Sequence, residues 1–339
     1  MKQHANIPIF IPHLGCPNDC VFCNQRTISG VNTFDPYLVE RQISEALATI
    51  GDRECEIAYF GGSFTGIDRE LMVYLLKVAK GFVDSGQVKG IRCSTRPDYI
   101  DECVLSILKA HCVTTVELGI QSISDDVLLA SKRGHTFRDT ERACHLVNDY
   151  GFDLVGQMMI GLPHSTELDE RRTAEFIARS GAVAARIYPT VVFKDTELCE
   201  MSISALYEPL SLDEAVSRTA LAYEILSDAS LTIIRVGLCS SENLNDEDKY
   251  YAGPNHAALG ELVENEIYFN KISREINTLD NTSGNSYTIY VPKGHLSKAI
   301  GQNKRNKIRL IKDFGLSSLR FLEDDSITAF GFTLVQERK

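Results

Sequence analysis

The chain has 339 residues, of which 44% are hydrophobic and 24% charged, a balance that suits a globular protein with a sizeable core. Its net charge of −11 excludes a surface that is a nucleic-acid platform throughout. No apolar run approaches the length of a membrane span and the N-terminus lacks a signal-peptide layout, so a cytoplasmic location is expected, with the ten cysteines present as reduced thiols.

The apolar run 7–11 reads as a first strand. It leads into Cys16-Pro17-Asn18-Asp19-Cys20-Val21-Phe22-Cys23, in which three thiolates spaced by three and two residues can converge on one inorganic core. Thiolate is a soft ligand that selects zinc, copper(I) or an iron–sulfur cluster. A structural zinc site wants a fourth ligand, which His13 or His4 could supply. An iron–sulfur cluster with three protein ligands instead keeps one iron open for a substrate or cofactor.

Further strands are expected at 56–60, 90–94, 115–119, 154–160 and 185–192, with helices at 36–50, 69–83, 101–110, 138–150, 167–180 and 212–228. Asp101 and Asp139 read as helix-starting caps, and Gly51 and Gly151 as helix ends. Repeated strand–helix units imply a parallel sheet, and six of them suit a partial (β/α)6 barrel with its site at the C-terminal ends of the strands. The run 231–236 adds a strand beside it.

Each expected strand end carries polar or glycine-rich chemistry. Gly61-Gly62 permits close backbone approach and leaves N–H groups for a ligand. Ser94-Thr95-Arg96-Pro97-Asp98 follows the third strand. In Val116-Glu117-Leu118-Gly119-Ile120-Gln121, Glu117 and Gln121 share a face, toward a barrel interior where a polar group needs a partner or a ligand. Lys132-Arg133-Gly134-His135 follows a short helix, and Gly161-Leu162-Pro163-His164 ends the fifth strand.

The three-cysteine array resembles that of the radical S-adenosylmethionine (radical SAM) superfamily. The strings Gly-Gly-Ser-Phe-Thr, Ser-Thr-Arg-Pro-Asp-Tyr, Val-Glu-Leu-Gly-Ile-Gln-Ser, Arg-Gly-His-Thr and Ala-Arg-Ile-Tyr-Pro-Thr occur in the order found in the Elongator catalytic subunit and its relatives. The resemblance implies an α/β radical SAM barrel that cleaves SAM at a [4Fe–4S] cluster to give a 5′-deoxyadenosyl radical. It implies Cys16, Cys20 and Cys23 as cluster ligands, and Gly61 and Gly62 as the loop that meets the SAM amino group. Gln121 and Arg133 fall at SAM-contacting positions; Gln157 stands where coproporphyrinogen oxidase has an aspartate for the SAM ribose. Arg96, Glu117 and Tyr188 are candidates on the substrate side. A reductant such as flavodoxin or ferredoxin is implied as electron donor.

Nothing after residue 240 resembles the acetyltransferase domain of the Elongator subunit, so its uridine chemistry is not carried over. Cys55, Cys93, Cys103, Cys112, Cys144, Cys199 and Cys239 show no CxxC spacing and are expected as core thiols rather than a second cluster. No cobalamin-binding region precedes the barrel. Tyr251 and His256 either reach the barrel mouth or form a turn into a helix at 261–279.

Composition places the boundaries at 1–240 for the barrel, 241–284 for a connecting segment with a helix, and 285–339 for a small α+β domain. That last stretch reads as strand, helix, basic glycine loop, helix and strands, and resembles a KH module. The module's GXXG loop is Gly301-Gln302-Asn303-Lys304 here, with lysine at the second glycine. Lys293, Lys298, Lys304, Arg305, Lys307, Arg309 and Lys312 fall in a window without acidic residues. Lys298, Gly301, Lys304, Arg305 and Lys307 are the expected nucleic-acid contacts, and RNA, in particular tRNA, is the expected substrate. The alternatives are a radical SAM enzyme acting on a small molecule such as a tetrapyrrole, and a non-catalytic RNA-binding protein with a structural cluster.

Overall fold

Short apolar runs alternating with amphipathic stretches build a parallel sheet connected by helices. A computed structural model describes residues 4–11, 14–16, 20–24, 33–51, 53–238 and 248–337. Its strands are β1 (His4–Ile11), β2 (Glu54–Gly61), β3 (Gly90–Thr95), β4 (Val113–Gln121), β5 (Asp153–Ile160), β6 (Ala184–Pro189), β7 (Val192–Phe193), β8 (Thr232–Val236), β9 (Tyr250–Ala252), β10 (Ser286–Val291), β11 (Ser318–Glu323) and β12 (Thr333–Gln336). By contacts the chain divides into two units, residues 1–211 with 225–255, and residues 212–224 with 256–339.

The first unit is built on a seven-stranded sheet in the order β1-β2-β3-β4-β5-β6-β8, with every pairing parallel. Each crossover steps to the next position without reversal. This is the strand order of a (β/α) barrel that stays open, since β1 and β8 are the two ends of the order. The expected six strands are present, with β8 added beside β6. Strand β4 is buried almost throughout, as parallel strands covered on both faces are.

Helix starts follow side-chain chemistry. Asp101 accepts from the Val104 N–H at the start of the helix Glu102–Ala110. The expected cap at Asp139 lies three residues inside its helix. Thr136 is the cap, and Asp139 returns the hydrogen bond to the Thr136 N–H, forming a capping box. The strand expected over 185–192 stops at Pro189, and Thr190 donates to Ile160 O instead. Val192–Phe193 then pairs antiparallel with Tyr250–Ala252.

The second unit holds a three-stranded sheet in the order β11-β10-β12, with β10 parallel to β11 and antiparallel to β12. The short helix Leu296–Ile300, a turn over Gln302–Lys304 and the helix Arg305–Asp313 join β10 to β11. The expected boundary at residue 284 falls inside this unit. The helix Leu259–Asn277 buries Tyr268, Phe269, Ile272 and Ile276 in the same apolar cluster as Tyr287, Ile289, Val291, Leu310 and Leu319, so it is part of that core and not a connector.

Candidate cluster and cofactor site

The loop after β1 is fixed by its neighbours. Val21 donates to Ser131 O at 3.2 Å and accepts from the Leu198 N–H at 2.8 Å. Its side chain packs with Val192, Leu198 and Cys199, and Phe22 joins them. Cys16 Sγ lies 3.5 Å from Ser63 Oγ, and Cys23 donates its N–H to Cys20 O at 2.9 Å. Cys16, Cys20 and Cys23 line one cavity of about 130 Å³ with Phe22, Gly61, Gly62, Ser63, Ser94, Thr95, Arg96, Gly119, Gln121, Arg133 and Gln157. One water needs only about 10–15 Å³. Among the described residues no three His, Cys, Asp or Glu side chains gather around a single metal ion. His13 lies outside the described residues, as does the side chain of His4.

Gly61 and Gly62 bring two chain segments together. A Cβ on Gly62 would lie 2.1 Å from Leu14 O, and one on Gly61 would lie 2.7 Å from Ile11 O. The Gly62 N–H is spent on Ile11 O at 2.8 Å rather than left for a ligand. The two glycines therefore seat the cysteine loop against the end of β2 and form one wall of the cavity.

Gln121 ends β4 in a left-handed conformation, φ 65°, where the β4–β5 register slips by one residue. A side chain at such a φ costs about 1–2 kcal/mol. Gln121 Oε1 is buried without a hydrogen-bond partner. Arg133 spends Nη2 on Gly119 O at 2.9 Å and Nη1 on Cys20 Sγ at 3.5 Å, which leaves Nε buried and unpartnered. Gly119 makes room for both side chains, because a Cβ there would lie 2.6 Å from Arg133 Nη2 and 3.0 Å from Gln121 Nε2.

Arg96 is 1% exposed and is gripped by Asp98 through Nε at 2.9 Å and Nη2 at 2.8 Å, with Nη1 unpartnered. Burial lowers its proton affinity, but Asp98 and then the thiols of Cys20 and Cys16 outweigh this and raise it. His135 is buried beside these arginines. Burial first, and the Arg133 guanidinium second, push its pKa down to about 3 and keep the imidazole neutral.

Below the cavity, the inward residues of the strands form an ionic cluster. Glu117 is 0% exposed, pairs with Arg92 at 2.9 Å and Arg186 at 2.8 Å, and accepts from Gln157 Nε2 at 3.1 Å. Arg92 also meets Glu56 at 2.6 Å. Tyr188 contacts Arg186, and its phenol pKa is raised, first by burial. Of the substrate-side candidates, Arg96 lines the cavity, whereas Glu117 and Tyr188 are not among its lining residues. Sequence reasoning missed Ser63, Arg92 and Arg186. For the two arginines the signal was a charge alternating with apolar residues inside a strand, the same signal that exposed Glu117.

Cys55, Cys93, Cys144 and Cys199 are core thiols; burial raises all four, Cys93 and Cys144 to about 12. Cys103 is exposed, because its helix buries Val104, Leu105 and Leu108 on another face. Cys112 is half-buried, and Cys239 lies outside the described residues. His256 is exposed and accepts from the Ala258 N–H, so it serves the turn into the helix Leu259–Asn277.

In the second unit the basic window is largely answered by acids from distant helices. Lys298 pairs with Glu264 at 2.9 Å, Arg305 with Asp213 at 3.0 Å and Arg309 with Glu266 at 2.7 Å, and Lys293 lies 4.0 Å from Asp325. Among the described residues Lys304, Lys307 and Lys312 carry no ion pair. Gly301 (φ 78°) opens the loop, and Asn303 and Lys304 both adopt left-handed backbone at φ 50° and 61°.

A family model described as "Radical SAM superfamily" matches residues 10–177, and a second, "Radical_SAM C-terminal domain", matches residues 183–268. The chain belongs to the radical SAM superfamily. It is an enzyme, and its cofactors are those of the superfamily, a [4Fe–4S] cluster and SAM. The residues present fit them: three soft donors line one cavity with Gln121, Arg133 and Arg96, each of which carries a buried polar atom without a hydrogen-bond partner. The chain is 30% identical over 215 residues to the tRNA uridine(34) acetyltransferase of Methanocaldococcus infernus, covering 57% of this chain and 40% of that protein. It is 30% identical over 210 residues to the Elongator complex protein 3 of Bos taurus, covering 55% and 38%. The chain thus spans about two fifths of the length of these relatives. The structure of the archaeal Methanocaldococcus infernus Elp3 with an N-terminal deletion superposes with a TM-score of 0.64 at 24% identity, over 80% of this chain and 64% of that one, so the two share a fold.

Proposed function

We propose that this radical SAM enzyme cleaves SAM reductively at a cluster held by Cys16, Cys20 and Cys23, and that its substrate is an RNA, in particular tRNA. The observation that carries the reading is that one cavity gathers the three thiols with Gln121, Arg133 and Arg96, each of which has a buried, unpartnered polar atom. When bound, the two cofactors supply a 5′-deoxyadenosyl radical able to take hydrogen from a substrate.

The chain's own residues bind and orient. Arg133 offers its unpartnered Nε–H to the SAM carboxylate as a charge-assisted hydrogen bond. Gln121 offers its free oxygen to a donor on the ligand. Gln157 meets the ribose, and Gly61-Gly62 forms the wall beside the methionyl end. Arg96, gripped by Asp98, lines the cavity and serves the substrate side. Phe22 and the packed loop around Val21 limit water. Electrons come from a carrier such as flavodoxin or ferredoxin.

The RNA assignment is supported by the relatives, one of which is by name an acetyltransferase of a tRNA uridine. It is also supported by the KH-like order of strand, helix, GQNK loop, helix and strand within residues 285–339. The ion pairs of Lys298 and Arg305 narrow the expected contact set to Gly301, Lys304 and Lys307, and Lys312, which carries no ion pair among the described residues, joins them. The same pairing favours a second reading, a small-molecule substrate with the second unit as a structural module. Salt-dependent tRNA binding separates the two. Replacing Lys304, Lys307 and Lys312 by Gln should weaken tRNA binding and flatten its salt dependence. Binding that is unchanged in the triple variant, or absent in the parent, contradicts the RNA reading.

A further inference from the structure

Glu117 has no solvent exposure, yet its carboxylate is the meeting point of side chains from three other strands. Arg92 Nη1 donates to Oε1 at 2.9 Å, and Arg186 donates to both oxygens, through Nε at 2.8 Å and Nη2 at 3.2 Å. Gln157 Nε2 reaches Oε2 at 3.1 Å and Ser94 Oγ reaches it at 3.5 Å. A buried ionic cluster of this kind adds little net stability over apolar packing. What it does impose is direction.

The direction falls on Gln157, which lines the cavity and occupies the same level of the sheet as Gly119 and Arg186. A side-chain amide has a donor end and an acceptor end of nearly equal shape, and its environment decides which way it points. An ionised carboxylate only accepts. Facing Glu117, the amide must therefore turn its nitrogen inward, and that nitrogen also lies 3.4 Å from Ser94 Oγ. The Gln157 oxygen has no hydrogen bond among the described residues. The two arginines occupy the other lone pairs of Glu117 and hold it in place.

We propose that Glu117 is a positioning residue: it locks the Gln157 amide so that its oxygen is a fixed acceptor toward the cavity, and the bound cofactor must present a hydroxyl there. The inference rests on the reading of this cavity as the SAM site, with Gln157 at the ribose. Glu117→Gln is nearly isosteric and reverses the lock. The two arginines would claim the oxygen of the new amide, its nitrogen would face Gln157, and Gln157 would turn its own nitrogen toward the ligand. Combining Glu117→Gln with Gln157→Glu restores an acceptor at position 157 and the net charge of the cluster.

The test is equilibrium binding of SAM, its 2′-deoxy analogue and its 3′-deoxy analogue to the reconstituted protein. The parent should bind SAM roughly tenfold more tightly than at least one deoxy analogue, the size of one hydrogen bond. Glu117→Gln should bring that ratio to about one, and the double variant should restore it. A purely structural Glu117 would weaken all three ligands alike and leave the ratio unchanged, which overturns the proposal. Equal binding of the three by the parent overturns it as well. Should Glu117→Gln fail to fold, Glu117→Asp keeps the charge while withdrawing the carboxylate by about 1.5 Å, one C–C bond. Its ratio should then fall, and an unchanged ratio overturns the proposal. A loaded parent that binds no SAM overturns the reading of the cavity, and this inference with it.

Discussion

Gln121 concentrates the tension between stability and binding in one residue. Its backbone is left-handed and its side-chain oxygen is buried without a partner. Glycine at this position removes both costs, so Gln121→Gly should raise unfolding stability by about 1 kcal/mol while weakening SAM binding. Urea denaturation of the apoprotein and SAM binding to the reconstituted protein measure the two effects separately. Glu117 runs the other way: Glu117→Ala removes the carboxylate that pairs with buried Arg186 and leaves Arg92 with Glu56 alone, and should lower stability by about 3–5 kcal/mol, read as a fall in the urea midpoint. His135 adds a pH dependence. Its folded pKa lies near 3, below the unfolded value of 6.5, so the unfolded chain binds the extra proton. Its contribution is intact above pH 6.5 and is lost as the pH falls toward 3. Urea midpoints in that window should slope less steeply in His135→Asn than in the parent.

Among the elements, what could be read from sequence is what is local in sequence. The cysteine array, the double glycine, and the ends of β3 and β4 each carry their signal in a few adjacent residues, and all of them meet at one cavity, whereas Gly161-Leu162-Pro163-His164 after β5 is not among its lining residues and β5 contributes Gln157 from within the strand. The pairings of Arg92, Glu117 and Arg186 were hidden, because they depend on which residues of β3, β4, β5 and β6 stand level with one another. Asp139 was misread as a cap because the capping box places an acidic residue three positions after the true one. The GQNK loop shows what a missing glycine does. Lys304 takes the left-handed backbone itself, while Gly301 cannot be replaced cheaply, since a Cβ would lie 3.0 Å from the backbone N of Asn306. Gly301→Ala should therefore lower the thermal stability of the second unit, whereas Lys304→Gly should raise it by about 1 kcal/mol. Differential scanning calorimetry reads both.

At the scale of the whole molecule, charge is the property that sequence windows represent least well. The stretch 291–312 holds seven cations and no acid, yet Asp213, Glu264 and Glu266 meet three of them from helices up to 92 residues away along the chain. The strand order was legible because repeated strand–helix units allow few topologies. The extent of the second unit was not, because a polar linker at 280–285 marks a turn inside a core that the helix Leu259–Asn277 already shares. Among the described residues no helix is long and apolar enough to cross a membrane.

Everything proposed for this enzyme depends on Cys16, Cys20 and Cys23 holding a cluster that acts on SAM. The most direct test is anaerobic: reconstitute the protein with iron and sulfide, reduce it with dithionite, add SAM and quantify 5′-deoxyadenosine, with Cys20→Ala alongside. Deoxyadenosine is expected from the parent, none above background from Cys20→Ala, and more when tRNA is present. A parent that carries a full [4Fe–4S] complement yet forms no deoxyadenosine, with or without tRNA, would contradict the proposed function.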